Sequence, residues 1–189
     1  MHFRIVEPAD ELRQSAETLI RKTYDFQYGA RISGFPYHVL AGSDPSGAVV
    51  CAAGLRFAAG GFFSEAYLDQ PIEDVLGEAA GRIVRRESVF EVTTLVSACP
   101  AASALFIRRI VAHGEAAGFA WSFFTLTERL RRMLPRLGLP VVPLAPAHPA
   151  RISDAEDWGR YYACNPVVCA VPGLSADFLP VEARHADAA

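Results

Sequence analysis

Hydrophobic positions along this chain follow two spacings, one typical of strands and one typical of helices. Runs rich in β-branched and aromatic residues predict strands over 2–7, 37–41, 48–58, 90–96, 119–127, 141–144 and 167–171. Apolar residues spaced three or four positions apart predict helices over 8–28, 71–76, 101–117, 128–138 and 153–162. Short turns join the early strands, and helices join the later ones. This order predicts an α/β fold with a mixed, mostly antiparallel central sheet flanked by helices.

The composition indicates a globular protein. The chain has 189 residues, half of them hydrophobic, and we expect a single domain over 1–175 followed by a C-terminal tail over 176–189. The net charge of −3 gives no general reason to expect nucleic acid or an anionic membrane as a partner. We expect no integral membrane segment and no secretory signal. The four cysteines have no zinc-ligand spacing, so we expect no metal and a reduced, cytoplasmic protein.

The segment from Glu91 to Gly138 carries the strongest chemical signal, because its pattern is strand, loop, helix, strand, helix. A strand followed by a loop of small residues and a helix presents backbone N–H groups, which suit a phosphate. In this respect the chain resembles acyltransferases of the GNAT type, which hold a pantetheine thioester on such a unit. The residues predicted to contact the acyl and pantetheine groups are Leu95, Val96, Ser97, Ala102, Ser103, Phe124 and Thr125.

Over about residues 28–172 the chain resembles the thermostable hemolysin family. The most specific matching segment is EAYLDQPIE at 65–73, and the segments at 54–56, 91–92, 121–127 and 157–162 also match. That family is similar to the acyl-homoserine lactone synthases, which are GNAT-like. The resemblance therefore implies a GNAT-like fold and acyl transfer. It places Arg56 at the arginine of the middle strand and Glu91 at the glutamate of the catalytic strand.

Two departures from those synthases concern the acceptor. Thr94 stands where they carry an arginine, and no paired acidic residues follow the first helix to hold their sulfonium nucleotide. The resemblance implies acyl transfer and leaves the acceptor open.

N-acyl transfer needs a neutral amine, and Glu91 is the predicted proton acceptor. It begins a largely apolar strand, and burial there is expected to raise its pKa. Arg56 follows an apolar run, and a buried arginine is seldom unpaired. Arg56 is therefore expected to bind a substrate carboxylate, with a structural salt bridge to Glu91 as the alternative, and both interactions can hold together. Thr93 and Thr94 complete the predicted catalytic set.

The donor and acceptor contacts are less specific. Tyr28, Glu65 and Asp69 are predicted to contact the acceptor, and for the last two the alternative is a brace for the turn before Pro71. The loop over 97–103 lacks the usual glycine-rich signature, which weakens coenzyme A as donor relative to an acyl-carrier protein. Either thioester would be a co-substrate, with no permanently bound cofactor. Basic helices predict carrier docking, with solvated helix faces as the alternative. The predicted docking residues are Arg108, Arg109, Arg129 and Arg132.

The sequence thus predicts an N-acyltransferase that moves a fatty acyl group from an acyl-carrier-protein or acyl-CoA thioester to the amine of a small metabolite such as an amino acid. Two alternatives stay open. One is a membrane-lytic hemolysin, and the other is a GNAT-fold ligand-binding module without catalysis. A nucleophilic role for Cys99 is a minor alternative, because no histidine is matched to it.

Overall fold

The computed structural model describes residues 1–98 and 100–173, so Cys99 and the tail over 176–189 lie outside the described residues. Within this part of the chain one sheet contains seven strands in the order β1-β2-β3-β4-β5-β7-β6. The strands are β1 His2–Val6, β2 His38–Ser43, β3 Val49–Phe57, β4 Val89–Ser97, β5 Trp121–Leu126, β6 Val142–Pro146 and β7 Val167–Pro172. Neighbouring strands are antiparallel except for one pair. The predicted sheet type is confirmed.

Helices cover both faces of the sheet. In the described residues they are α1 Arg13–Tyr28, α2 Ile72–Ala80, α3 Pro100–Ala116 and α4 Glu128–Met133. Alternate residues of β2 face opposite sides of the sheet. Val39 belongs to a hydrophobic cluster that includes residues of α1, and Leu40 to one that includes residues of α3. α1 ends where Gly29 takes φ 67°, a left-handed conformation that glycine adopts at no steric cost. None of the described helices is long and apolar enough to cross a bilayer.

The parallel pair, β4 and β5, is joined by α3. Its last register pair is Val92 with Phe124. Beyond that pair β4 continues to Ser97 and β5 to Leu126, and the two strands do not pair with each other. The sheet therefore opens between its two central strands.

A β-bulge in β4 lies beside this opening. The register against β3 shifts between Ala52 and Gly54, and Thr94 takes φ 47°. The extra residue reverses the facing of the strand, so that Val92 and Leu95 both pack toward α3 while Val96 packs toward α1. After the bulge, the side chains of β4 therefore alternate between the two faces of the sheet in the opposite order.

The helix predicted over 153–162 is wrong. Two short 3-10 turns, Ala155–Trp158 and Tyr161–Cys164, take its place. Between them Gly159 has φ 53°, and a Cβ at that position would overlap the carbonyl oxygen of Tyr28. The next residue, Arg160, donates its backbone N–H to the same oxygen at 2.8 Å. The contacts of Gly159 and Arg160 with the C-terminal end of α1 therefore interrupt the predicted helix.

Candidate active site

A cleft of about 290 Å³ lies where β4 and β5 separate. Residues 94–97 of β4 line one side, residues 124–126 of β5 line the other, and α1 contributes Tyr24 and Tyr28. We call this cavity the strand cleft. α3 begins at Pro100, shortly after β4 ends at Ser97, so its first turn presents backbone N–H groups near the end of the same strand.

Most of the residues predicted to contact an acyl-pantetheine arm line the strand cleft. Ala102 does not, since this residue of α3 is buried in the core. The residues that do line it are Leu95, Val96, Ser97, Ser103, Phe124 and Thr125.

A second cavity, of about 300 Å³, lies next to the strand cleft and is called the side pocket here. The irregular segment 31–36 forms part of its wall, and Phe63 and Trp158 supply an aromatic surface with ring centroids 5.5 Å apart. Arg56 and Thr93 also line it. Thr94 lines both the side pocket and the strand cleft, so the two cavities meet at this residue.

Thr94 combines two unfavourable features. A β-branched residue rarely adopts φ near +47°, because its Cβ crowds the backbone there. Its Oγ1 is buried and has no hydrogen-bond partner, which costs about 1–3 kcal/mol of desolvation. Strain and unsatisfied polar groups of this kind concentrate at functional sites.

Arg56 lies directly opposite Glu91 in the β3–β4 register. No ion pair forms between the two side chains, so the structural salt bridge considered from the sequence is absent. The Nε of Arg56 is buried and has no hydrogen-bond partner. The side pocket therefore contains a guanidinium group with an unused donor.

Glu91 is fully buried, with 0% of its surface exposed. Its two carboxylate oxygens accept backbone N–H groups, from Phe63 at 2.6 Å and from Ser64 at 2.8 Å. Burial raises its pKa, while these donors, the Ser64 hydroxyl and the charge of Arg56 partly oppose the rise. Glu91 lines neither the strand cleft nor the side pocket.

The segment above Glu91 is held by an ion-pair cluster. Arg86 binds Glu65 with both terminal nitrogens, at 2.5 and 2.7 Å, and Glu73 at 2.7 Å. Glu65 also accepts the backbone N–H of Ile72 at 3.0 Å, and the guanidinium of Arg86 lies over the ring of Phe62. This cluster fixes the 3-10 turn Ser64–Tyr67, whose first N–H reaches Glu91.

Ser64 also connects to β5. Its Oγ lies 2.7 Å from Oγ1 of Thr125, the residue that follows the last β4–β5 register pair. The hydroxyl of Tyr161 donates to the carbonyl oxygen of Thr125 at 3.1 Å. Thr125 lies at the point where the strand cleft begins.

The family model of thermostable hemolysins matches residues 6–175. The chain belongs to the thermostable hemolysin family. The resemblance seen in the sequence is therefore confirmed. A search of curated proteins finds no match.

Solved structures with a similar fold include acyl-homoserine lactone synthases. The synthase LasI aligns with a TM-score of 0.60 at 10% identity, covering 90% of this chain and 89% of that chain. FeeM, an N-acyl amino acid synthase from uncultured soil microbes, aligns with a TM-score of 0.56 at 14% identity, covering 94% and 100%. MesI, a CoA-dependent acyl-homoserine lactone synthase, aligns with a TM-score of 0.54 at 15% identity, covering 94% and 91%. The GNAT-like fold of this thermostable hemolysin family member is confirmed.

The residues predicted to contact the acceptor do not lie in one site. Tyr28 lines the strand cleft, and burial raises its pKa. Glu65 belongs to the Arg86 cluster, and Asp69 pairs with Arg151 at 2.7 Å. Neither carboxylate lines the side pocket; Glu65 instead accepts the backbone N–H of Ile72, just after Pro71, as the bracing alternative expects.

The four arginines predicted to dock a carrier protein also have different surroundings. Arg129 lines the strand cleft. Arg132 forms an exposed ion pair with Glu128, and Arg108 donates to the carbonyl oxygen of Leu137 at 3.1 Å. Arg109 lies over the ring of Phe3, with its guanidinium 5.8 Å from the ring centroid. Of the four, Arg129 is the residue in contact with a cavity.

Sequence reasoning missed Ser64, Phe63 and Trp158 as parts of the site. Ser64 precedes the EAYLDQPIE segment, and Trp158 belongs to the 157–162 segment, so both lie within or beside stretches that match the family. That match was the only available signal. No group of three or more His, Cys, Asp or Glu side chains that could hold a metal occurs in the described part of the chain.

Proposed function

We propose that this protein is an N-acyltransferase that moves an acyl group from a thioester to the amine of a small metabolite. One observation carries the proposal: two cavities, one between separating parallel strands and one containing an unpaired arginine, meet at Thr94. A donor in the first cavity and an acceptor in the second would have their reacting atoms side by side. Such positioning is a large part of catalysis of bimolecular reactions.

The strand cleft is the proposed donor site. Its walls present backbone and small side chains from β4 and apolar surface from Phe124 and Leu126, which suit a pantetheine arm and the start of an acyl chain. The start of α3 at the end of β4 suits the phosphate of that arm. The fold supports this assignment, since MesI is described as CoA-dependent and BjaI was solved with isopentyl-CoA.

The side pocket is the proposed acceptor site, and an amino acid is the proposed type of acceptor. An unpaired guanidinium donor in the wall of this pocket favours an anion, and a carboxylate matches the planar arginine fork. Phe63 and Trp158 offer apolar surface to the rest of the molecule. FeeM, described as an N-acyl amino acid synthase, has the same fold.

The reaction proposed here forms one bond and breaks one. The ammonium group of the acceptor loses a proton to water, and its nitrogen attacks the thioester carbonyl carbon to form a C–N bond. The tetrahedral intermediate then collapses as the C–S bond breaks. The nitrogen releases its second proton to the leaving thiolate. The thioester carbonyl is proposed to lie beside Thr94, whose hydroxyl has no partner within the protein and would donate to the negative oxygen of the tetrahedral intermediate.

The donor is proposed to be either acyl-CoA or an acyl-carrier protein. Arg129 at the strand cleft, with Arg108, Arg109 and Arg132 on the neighbouring helices, would attract an acidic carrier. The proposed location is the cytoplasm, where reducing conditions keep thiols such as that of Cys164 reduced.

One observation favours a second candidate, a ligand-binding module without catalysis. Glu91 lines neither cavity, and a protein that only holds a thioester needs no proton acceptor. The two candidates make different predictions for thiol release.

The test is to incubate purified protein with acyl-CoA or acyl-carrier protein and a panel of amines, and to measure free thiol and N-acyl product. Amine-dependent thiol release supports the acyltransferase. Thioester binding without thiol release supports the binding module. Dye leakage from liposomes treated with the protein alone, without release of thiol, supports direct membrane lysis. Mass spectrometry of any ligand that co-purifies would identify the acyl chain.

A further inference from the structure

Asp154 contributes a carboxylate to the side pocket that the proposed function does not use. It lines the pocket together with Arg56, Phe63 and Trp158. It is the N-cap residue of the 3-10 turn Ala155–Trp158, and the N-cap aspartate of a helix usually accepts a backbone N–H. Its side chain accepts no such bond here and forms no ion pair with any residue of 1–98 and 100–173. The carboxylate is therefore available to a ligand.

Aromatic rings surround the position of this carboxylate. Burial raises the pKa of the phenols of Tyr67 and Tyr162, and the nearby charge of Asp154 adds to the rise. The ring of Tyr67 packs on Phe63 with centroids 6.0 Å apart, and Phe63 packs on Trp158. A carboxylate next to aromatic faces favours an organic cation, because the negative charge and the ring quadrupoles both attract it.

The two unpaired charges of the side pocket differ in depth. Nε of Arg56 and Oγ1 of Thr94 are buried, whereas Asp154 is exposed. Arg31 also lines the pocket, but it is paired with Asp157 at 2.7 Å. A ligand would therefore meet a positive charge at the inner end of the pocket and a negative charge at its outer end.

Charge balance distinguishes between classes of amino acid. The α-amine must be neutral to attack the thioester, so an amino acid with an uncharged side chain then carries only the negative charge of its carboxylate. That charge matches Arg56 and leaves Asp154 unmatched. An amino acid with a second amine in its side chain also carries a positive charge in this state, and it matches both residues. The pocket, at about 300 Å³, has the size of a site for one small molecule, roughly 300–1,000 Å³.

We propose that the acceptor is an amino acid with a cationic amine in its side chain, such as lysine, bound with its carboxylate at Arg56 and its distal ammonium at Asp154. The rings of Phe63 and Trp158 would pack around that ammonium. The inference rests on the proposed acyl transfer and names the substrate class of the same pocket. Asp154 would touch the substrate but not the reacting atoms, so its role is in specificity.

This orientation determines which nitrogen is acylated. The α-amine and the carboxylate are attached to the same carbon, so the α-amine lies near Arg56 and the junction of the cavities at Thr94. The α-ammonium loses a proton to water, and its nitrogen forms the C–N bond to the thioester carbon. The nitrogen gives a second proton to the thiolate that leaves as the C–S bond breaks, while the distal ammonium keeps its protons. The product is therefore an Nα-acyl amino acid.

The first test measures binding without a thioester. Isothermal titration calorimetry compares lysine with norleucine, whose side chain is apolar and ends without the ammonium. We expect lysine to bind about 10- to 100-fold more tightly, because a charged hydrogen bond and a cation–π contact are gained. Asp154→Asn should remove most of this difference by weakening the binding of lysine alone. Glu156→Gln is the matched control, since it removes a charge of the same turn that does not line the pocket.

Several results of the titration would overturn the inference. One is equal affinity for lysine and norleucine, and another is an equal loss for both in Asp154→Asn. A third is the absence of lysine binding, because neither charge depends on the donor. Tighter binding of phenylalanine than of lysine would also overturn it, since the rings would then serve an apolar side chain.

A second test uses turnover with acyl-CoA or acyl-carrier protein. The kcat/KM for lysine should exceed that for norleucine by a similar factor, and fragmentation mass spectrometry should place the acyl group on the α-nitrogen. Acylation of the distal nitrogen would contradict the proposed orientation. If no thioester is turned over with any amine, the proposed acyl transfer fails, and the titration still decides which class of amino acid the side pocket binds.

Discussion

Arg56 and Glu91 are register partners across β3 and β4, but no ion pair connects them. Glu91 is satisfied by backbone N–H groups of the segment that covers it, and Arg56 keeps an unpaired donor at the side pocket. The carboxylate is thereby held in the interior, and the guanidinium lines the side pocket. Their charges still interact, since Arg56 lowers the pKa of Glu91.

Glu91→Gln is expected to make the free energy of unfolding depend less on pH. Burial raises the folded-state pKa of Glu91 above its ordinary value of 4.5. The folded state therefore holds this proton more tightly than the unfolded state, and wild-type stability falls as the pH rises from about 4.5 through the folded-state pKa. Urea unfolding over a pH series measures this fall. A variant with the same slope as wild type would contradict the prediction.

Arg56→Lys is expected to raise KM for an acceptor that carries a carboxylate by about 10- to 100-fold, because a lysine cannot reproduce the two-donor fork. The KM for an amine without a carboxylate should change little. Arg31→Gln is the comparison variant, since Arg31 lines the same pocket but is exposed and paired with Asp157. Equal effects on both amines would show that Arg56 does not bind the carboxylate.

Gly54→Ala is expected to lower the free energy of unfolding by about 1–3 kcal/mol. The new methyl group would overlap Oγ1 of Thr93 and lie 2.7 Å from Cγ of Pro36, and both residues line the side pocket. The KM for the acceptor should therefore rise as well. Gly114→Ala is the matched control, because its methyl group would overlap the ring of Phe90 away from the pocket. It should lose stability without a change in KM.

Thr94→Gly is expected to raise the free energy of unfolding by about 1 kcal/mol, because it removes the left-handed strain of a β-branched residue. Its acyl-transfer rate should nevertheless fall, since the hydroxyl at the junction of the cavities is lost. Asn165→Gly is the control at the other non-glycine residue with positive φ, 48°, among residues 1–98 and 100–173, and it should leave the rate unchanged. Lower stability of Thr94→Gly would show that the bulge is not strained.

Arg86→Gln is expected to lower the free energy of unfolding by about 1–3 kcal/mol, because it leaves the partly buried carboxylates of Glu65 and Glu73 without a cation. Hydrogen exchange should rise at Phe63 and Ser64, whose N–H groups cover Glu91. Arg132→Gln breaks an exposed pair instead and should cost less than about 1 kcal/mol. Equal losses in both variants would show that the cluster does not hold the segment.

Much of the fold follows from local signals. The predicted strands match because their apolar runs are long enough to fix their type, and Gly29 ends α1 as expected. The helix predicted over 153–162 does not form because Gly159 packs against Tyr28, a residue far away in the chain. No local pattern around Gly159 indicates that contact. A capping pattern describes only the local backbone, and a tertiary contact overrides it.

Part of the candidate site could also be predicted from local signals in the sequence. The cleft residues of β4 and β5 follow from where two strands end. The burial of Glu91 does not follow, because its cover is a segment about thirty residues earlier in the chain, placed by the pairing of Glu65 with Arg86. Ser64 could not be found from its type or spacing, since a lone serine has no pattern.

Thr94 belongs to the walls of two cavities, and in the proposed acyl transfer this shared position ties the choice of donor to the choice of acceptor. A substitution there would change both preferences together. Diversification of the acceptor alone would instead arise in the irregular segment 31–36, which touches the side pocket and not the strand cleft. If the proposed function holds across the family, members that use different amines should differ in that segment and keep the bulge.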